Sequence, residues 1–448
     1  MLMPIFLESI IILLIILMIA RFIKRGSGIL QKLFIPSALV AGFAGLILGP
    51  QVLGTIPKEI TDIWASLPKY LISVVFAGLF LGKTIPKLKD IWKTSGSMIA
   101  FGNTIAWGQY VLGILLTVFI LVPFFNANPL SAALIEISFE GGHGTAAGLA
   151  PTFEQLGWPQ GTDIALGLAT FSIIAAIFSG IIIINVHNRK LTKNSSTETF
   201  DHIEKQMIKS GYNLVGFTNK FNTNPRAVLI NIIAFIVAIF IGWVLLKGLV
   251  YLEDLLLSPF TDIRFFEYLP LFPLAMLGGL IVQLFLKKIH KAHLIQRRTA
   301  AIISSLALDL LIASAIATIS LQVIGDNIPI FVTFAIAGVV WILGCFFVLA
   351  PKMFKINWFE NGITNIGQSM GMTATGLLMN RLADPSNKTK AKEVFAYKQL
   401  AFEPFMGGGI ITVASVIVIY EFGLLFAFIT SFVVMIFWLI VGYKLGKK

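Results

Sequence analysis

The chain has 448 residues, of which 57% are hydrophobic and only 12% charged, with a formal net charge of +12 and a mean hydropathy of +0.88. A soluble domain carries about a quarter charged residues, so this composition excludes a water-covered surface and points to a polytopic helical membrane protein. The excess of positive charge sits in loops, which excludes nucleic acid as its reason, and the single cysteine, Cys345, excludes an internal disulfide framework.

Taken in chain order, apolar runs long enough for a bilayer core of about 30 Å predict eleven spans. They cover about 4–22, 34–50, 68–86, 98–122, 161–186, 226–250, 268–287, 299–322, 329–351, 400–420 and 422–444. The first lacks a basic leader and a small-residue cleavage site, so it reads as a retained helix. Two further stretches, 131–150 and 361–380, are glycine-rich and too polar for ordinary spans. Lys and Arg set the sidedness: all but Lys58, Lys69, Lys247 and Arg264 fall on one side of this arrangement. By the positive-inside rule that side is cytoplasmic, with the N-terminus outside and the C-terminus inside a cell (inner or plasma) membrane.

The polar stretch 187–225 reads as a cytoplasmic linker with solvated His187 and His202 and room for a short helix around 201–209. It divides the chain into halves that echo each other. "PSALVAG" at 36–42 returns as "PLAMLGG" at 273–279, and "TAAGL" at 145–149 returns as "TATGL" at 373–377. The expected organisation is a first repeat at 1–186, the linker, a second repeat at 226–420 and an extra C-terminal span with a basic tail at 421–448. Five spans per unit is odd, so the second unit enters the membrane inverted, a pattern of secondary transporters.

Irregular backbone at membrane depth persists only inside protein or beside water, so the two glycine-rich stretches predict re-entrant hairpins with tips meeting near mid-membrane. The expected substrate-binding set is Gly141, Gly142, His143, Gly144 and Thr145 in the first hairpin. The second contributes Ser369, Met370, Gly371, Thr373 and Thr375. Half-helix ends there offer amides to an anion and carbonyls to a small cation, and the Thr and Ser hydroxyls suit Na⁺. His143 has three readings: a ligand for a substrate carboxylate, a proton shuttle, or a hydrogen-bonding partner for the hairpin backbone. The bland alternative for both stretches is helices packed through small residues.

Intramembrane acids are costly and point to function. Asp309, Glu140 and Glu403, with Asn365 and Gln368, form the expected cation-coupling set, whereas Glu8, Glu136 and Asp163 read as near-surface. No Lys or Arg is expected deep in a span, and no resident cofactor or metal beyond a transported Na⁺ is implied.

"GGHGTAAG" between the fourth and fifth spans, its glycine-rich counterpart "GQSMGMTATG" and the five-plus-five arrangement resemble the bacterial glutamate:sodium symporter family. The resemblance covers about residues 1–420 and implies an inner-membrane carrier coupling glutamate to Na⁺, working as a homodimer. It also implies that the two glycine motifs form the transport core. Glu140, Asp309 and the eleventh span depart from the family pattern. The expectation is therefore a Na⁺-coupled symporter of a small organic anion, glutamate first. A proton-coupled carrier or exporter, a channel and, last, a membrane-embedded enzyme stand as alternatives.

Overall fold

The computed structural model describes residues 2–32, 35–191, 225–256, 261, 263–385 and 387–447, and the described residues are helical with no strand. In chain order the principal helices are α1 (Leu2–Gly26), α2 (Ser37–Leu48), α3 (Lys58–Ala77) and α4 (Leu88–Phe125). Two short ones follow, α5 (Leu134–Phe139) and α6 (Gly142–Gly148), then α7 (Gln160–Leu191). The second half has α8 (Pro225–Leu256), α9 (Leu271–Lys288), α10 (Arg297–Ala317) and α11 (Ile328–Val348). It ends with α12 (Trp358–Ser369), α13 (Thr373–Ala383), α14 (Ala391–Phe402) and α15 (Ile410–Lys447).

Nine helices among the described residues are long and apolar enough to cross a membrane, against the eleven spans expected. Two places account for the difference. The second expected span, 34–50, is the twelve-residue α2, ended by Gly49 and Pro50, and twelve residues rise only about 18 Å. The tenth, 400–420, is not continuous: α14 stops at Phe402, and residues 403–409 are non-helical before α15 begins. Pro404 and three consecutive glycines (407–409), two of them at positive φ, explain the break.

α15 is one helical run by hydrogen bonding, yet Gly423 sits inside it at φ +79° and ψ 171°. That conformation bends the chain between 410–422 and 424–447, close to where two separate spans were expected. Tyr420 meets Tyr268 edge-on, with ring centroids 5.9 Å apart. Further on, Trp438 reaches Trp92 at 6.3 Å, and the backbone of Gly442 and Gly446 faces Met353 and Lys352. Gln283, near the end of α9, bonds to Gly82 and Lys83 just before α4, while Tyr268 precedes the start of α9. The 424–447 segment therefore returns to the face on which α4 begins.

The helices sort into two groups. α1, α2, α3, α8, α9 and α10 pack with one another, as do α4, α5, α7 and α11 to α15. α6 lies between them, against α3 and α10 on one side and α7 on the other. Small residues permit the close approaches. A side chain on Gly42 would fall 2.6 Å from Ile316 of α10, and one on Gly279 would fall 2.2 Å from the Ala77 carbonyl of α3. These glycines close the sequence echoes at 36–42 and 273–279, so the second helix of each half packs on the third helix of the other.

The apolar side chains that remain exposed line the outer faces of the long helices, as on α8 with Leu229, Ile233, Ile236, Phe240 and Trp243. This is the surface a multi-pass membrane protein turns to lipid. Of the expected linker, residues 192–224, including His202 and the short helix at 201–209, lie outside the described residues. His187 is not a loop residue: α7 continues through it, and its ring stacks on Phe359 at 3.6 Å.

Candidate functional site

Each glycine-rich stretch is a helix, a break and a second helix. In the second stretch α12 and α13 fold back on each other: Asn380 Nδ2 donates to Thr364 Oγ1 at 3.0 Å, and Gly367 faces Thr375 and Gly376. The chain reverses at 370–372. In the first stretch α5 ends at Phe139 and α6 begins at Gly142, whose φ of +67° supplies the turn. The two breaks abut, since a side chain on Gly142 would fall 3.1 Å from the Gly371 carbonyl.

The break at 403–409 joins them and was not foreseen as part of the site. Gly407 lies against the Glu140 carbonyl and Gly408 against Thr145 Oγ1. The Gly407 N–H donates to Glu136 Oε1 at 3.1 Å. Three interrupted helices thus meet at one point, each offering backbone groups that no helix satisfies.

Buried side chains fill this junction. Glu136 is 0% exposed, which corrects its reading as a near-surface acid. Tyr110 Oη donates to its Oε2 at 2.6 Å, and Thr412 Oγ1 donates to Oε1 at 2.8 Å. With the Gly407 amide these donors form a cradle suited to an ionised, acceptor-only carboxylate. Asp163, by contrast, is half-buried at the start of α7 and accepts the Ser320 N–H at 3.0 Å.

Glu140 lies one turn further along the same helical face. Its Oε2 accepts from Gln368 Nε2 at 2.5 Å, while its Oε1 is buried without a hydrogen-bond partner. Gln368 passes the connection on, its Oε1 accepting from Lys398 Nζ at 2.7 Å. Lys398 is fully buried; it lies outside the expected spans, in which no Lys or Arg was expected deep, and the sequence reading did not single it out. Its ammonium sits 3.5 Å from the centre of the Phe402 ring, a cation–π contact that partly offsets lost water. Gly102 of α4 leaves the room: a side chain there would meet Lys398 at 2.7 Å and Asn365 Oδ1 at 3.3 Å.

The other expected residues surround this chain of groups. Asn365 Nδ2 donates to Ser369 Oγ at 3.4 Å, and Asn365 Oδ1 is buried without a partner. Thr373 Oγ1 donates to Glu403 Oε1 at 2.6 Å; Gln399 Nε2 donates to both, at 2.7 and 2.9 Å. Thr145 Oγ1 donates to the Gly141 carbonyl at 3.0 Å. Met370 is fully buried, and Thr375 is buried beside Gly371. Gly144 turns toward Ile72 of α3 and Leu308 of α10, so the first break touches the opposite helix group.

Two expected residues stand apart from this group. Asp309 accepts from Arg21 of α1 at 2.6 Å, with both side chains about a quarter exposed. His143 is buried, and its Nε2 lies 2.9 Å from Thr170 Oγ1 of α7; its Nδ1 has no hydrogen-bond partner. Gln109, whose amide nitrogen and oxygen are both buried and unpartnered, and Ser138, whose hydroxyl is likewise unpartnered, are polar groups that sequence reading passed over.

A family model described as "Sodium/glutamate symporter" matches residues 5–380 of the chain. No curated protein matches it. The matched region contains both glycine-rich breaks; Lys398, Gln399, Glu403 and the third break lie beyond it.

Proposed function

The chain belongs to the sodium/glutamate symporter family, and on that premise we propose that the meeting point of its three helix breaks is where glutamate and Na⁺ act on each other. The protein is a multi-pass membrane symporter that couples glutamate to sodium. The finer reading is alternating access. The group containing α4, α7 and the interrupted helices carries the ligands, and the α1–α3 and α8–α10 group is the frame against which it moves.

The observation that carries this reading is the contact of breaks 140–142, 370–372 and 403–409 around buried Glu136 and Glu140. Breaks free amides for the two substrate carboxylates and carbonyls for Na⁺, and they let a helix pair change shape at modest cost. Thr145, Ser369, Thr373 and Thr375 add hydroxyl oxygens beside them. Glu140, Asn365, Gln368 and Glu403 complete the coupling set, while Gly141, Gly142, His143, Gly144, Met370 and Gly371 shape the substrate side. The reciprocal packing of Gly42 on α10 and Gly279 on α3 supports an inverted duplication. The basic loops support an N-terminus outside and a C-terminus in the cytoplasm of the inner membrane, and the family resemblance supports a homodimer.

A ligand screen tests the assignment. Purified protein is heated with dicarboxylates and amino acids, with and without Na⁺. Glutamate is expected to raise the melting temperature only when Na⁺ is present. Stabilisation independent of Na⁺, or dependent on pH in place of Na⁺, would contradict it.

A further inference from the structure

A buried charge is stable only when it is compensated, and several ionisable side chains meet inside this junction. Glu136 and Glu140 share one face of α5 and its end, and Lys398 reaches Glu140 from α14 through Gln368. Glu403, held by Thr373 and Gln399, also acts on the Lys398 ammonium, so the acids of the junction outnumber its one ammonium. Removing an ammonium from such a group is far costlier than screening a surface ion pair. The oxygens left without partners, Glu140 Oε1 and Asn365 Oδ1, are hard donors of the type that Na⁺ takes. A sodium ion, however, carries the same charge as the Lys398 ammonium beside them.

We propose that Lys398 is a tethered cation that occupies, permanently and covalently, a charge position an additional Na⁺ would otherwise fill, and that it thereby sets how many sodium ions the carrier couples to each glutamate. Lys398 is a specificity-determining residue for the ion, acting through charge balance at Glu140. Its attachment to α14 and its seat on Phe402 keep it from leaving with the substrate. Gln368, donating to Glu140 and accepting from Lys398, holds the ammonium one hydrogen-bonding side chain away from the carboxylate. That spacing leaves Glu140 Oε1 open to an ion from solution.

The inference rests on the junction being the coupling site, and the test separates the two. Wild type, Lys398→Gln, Lys398→Arg and Glu140→Gln/Lys398→Gln are purified as full chains, and glutamate uptake into proteoliposomes is titrated with Na⁺ against choline. The same proteins are titrated with Na⁺ by thermal shift, which needs no transport. Lys398→Gln is expected to show a steeper Na⁺ dependence, by one further ion, and a larger Na⁺-induced rise in melting temperature. Lys398→Arg keeps the wild-type steepness, and the double variant loses the added Na⁺ response.

Equal Na⁺ titrations in wild type, Lys398→Gln and the double variant would overturn the tethered-cation proposal while leaving the coupling site standing. An absence of Na⁺-dependent glutamate stabilisation in wild type would overturn the site itself. If Lys398→Gln alone does not fold, the double variant is expected to, because the unpaired carboxylate is gone. Failure of both would make Lys398 a packing residue and end the proposal.

Discussion

At Gly142 the backbone adopts φ +67° and passes within side-chain distance of the Gly371 carbonyl. Alanine there adds about 1–2 kcal/mol of left-handed strain and presses the two breaks apart. Gly142→Ala is therefore expected to express and insert but to carry no glutamate, measured as uptake per folded protein. Thr373→Val removes the donor to Glu403 and the acceptor for Gln399. It is expected to lower uptake at least tenfold, the rate equivalent of about 1.4 kcal/mol, with little change in melting temperature. Asp309→Asn is expected to act differently from both. It pairs with Arg21 inside the group of α1–α3 and α8–α10, away from the junction, so the variant should lower stability and leave the Na⁺ dependence of uptake intact. A shifted Na⁺ midpoint in Asp309→Asn would return that residue to the coupling set. The glycines, hydroxyls and Glu140 were legible in the sequence because they are out of place in an apolar chain. Lys398 was not, since five residues before Glu403 and beside the basic stretch 388–392 it reads as one more loop base.

Among the elements, the first two breaks were legible because glycine clusters interrupt apolar runs at corresponding places. The third was masked by its surroundings: "EPFMGGG" lies at the edge of a long hydrophobic tract, and hydropathy alone carries the span through it. Its role follows from Gly407 and Thr412 holding Glu136, contacts between residues 271 and 276 positions apart. No local pattern encodes such a pairing. The loop from α13 to α14 is tied by Asp384, which accepts from the backbone of Lys388 and Thr389 and from the Thr389 hydroxyl. Burial pushes the Asp384 carboxyl up, but those hydrogen bonds and the Lys388 charge outweigh it and hold the group below its ordinary range. A folded pKa that is depressed gives stabilisation present above the unfolded value, about 4, and lost as pH falls through the lower folded value. Asp384→Asn is expected to lower the amide-exchange protection of 387–391 at neutral pH, and acid is expected to lower that protection, measured against the intrinsic rate, in wild type. Unchanged exchange in the variant would remove Asp384 as the tie that holds this loop.

Across the whole molecule, helical class and most spans follow from apolar runs, while the sorting of helices into two groups does not. That sorting depends on which small residues face which neighbours, as Gly42 on α10 and Gly279 on α3 do, and composition carries no such address. The orientation is checked by single cysteines in a Cys345→Ser background. Cysteine at Lys444 is expected to react with impermeant maleimide only from the cytoplasmic side, and reaction from outside would invert the topology. The central claim is that both helix groups work around one junction that binds glutamate and Na⁺ together. Its most direct test is glutamate counterflow in proteoliposomes at equal Na⁺ on both sides, wild type against Gly142→Ala. The account predicts saturable counterflow that requires Na⁺ in wild type and none in folded Gly142→Ala; full counterflow in the variant, or Na⁺-independent exchange in wild type, would contradict it.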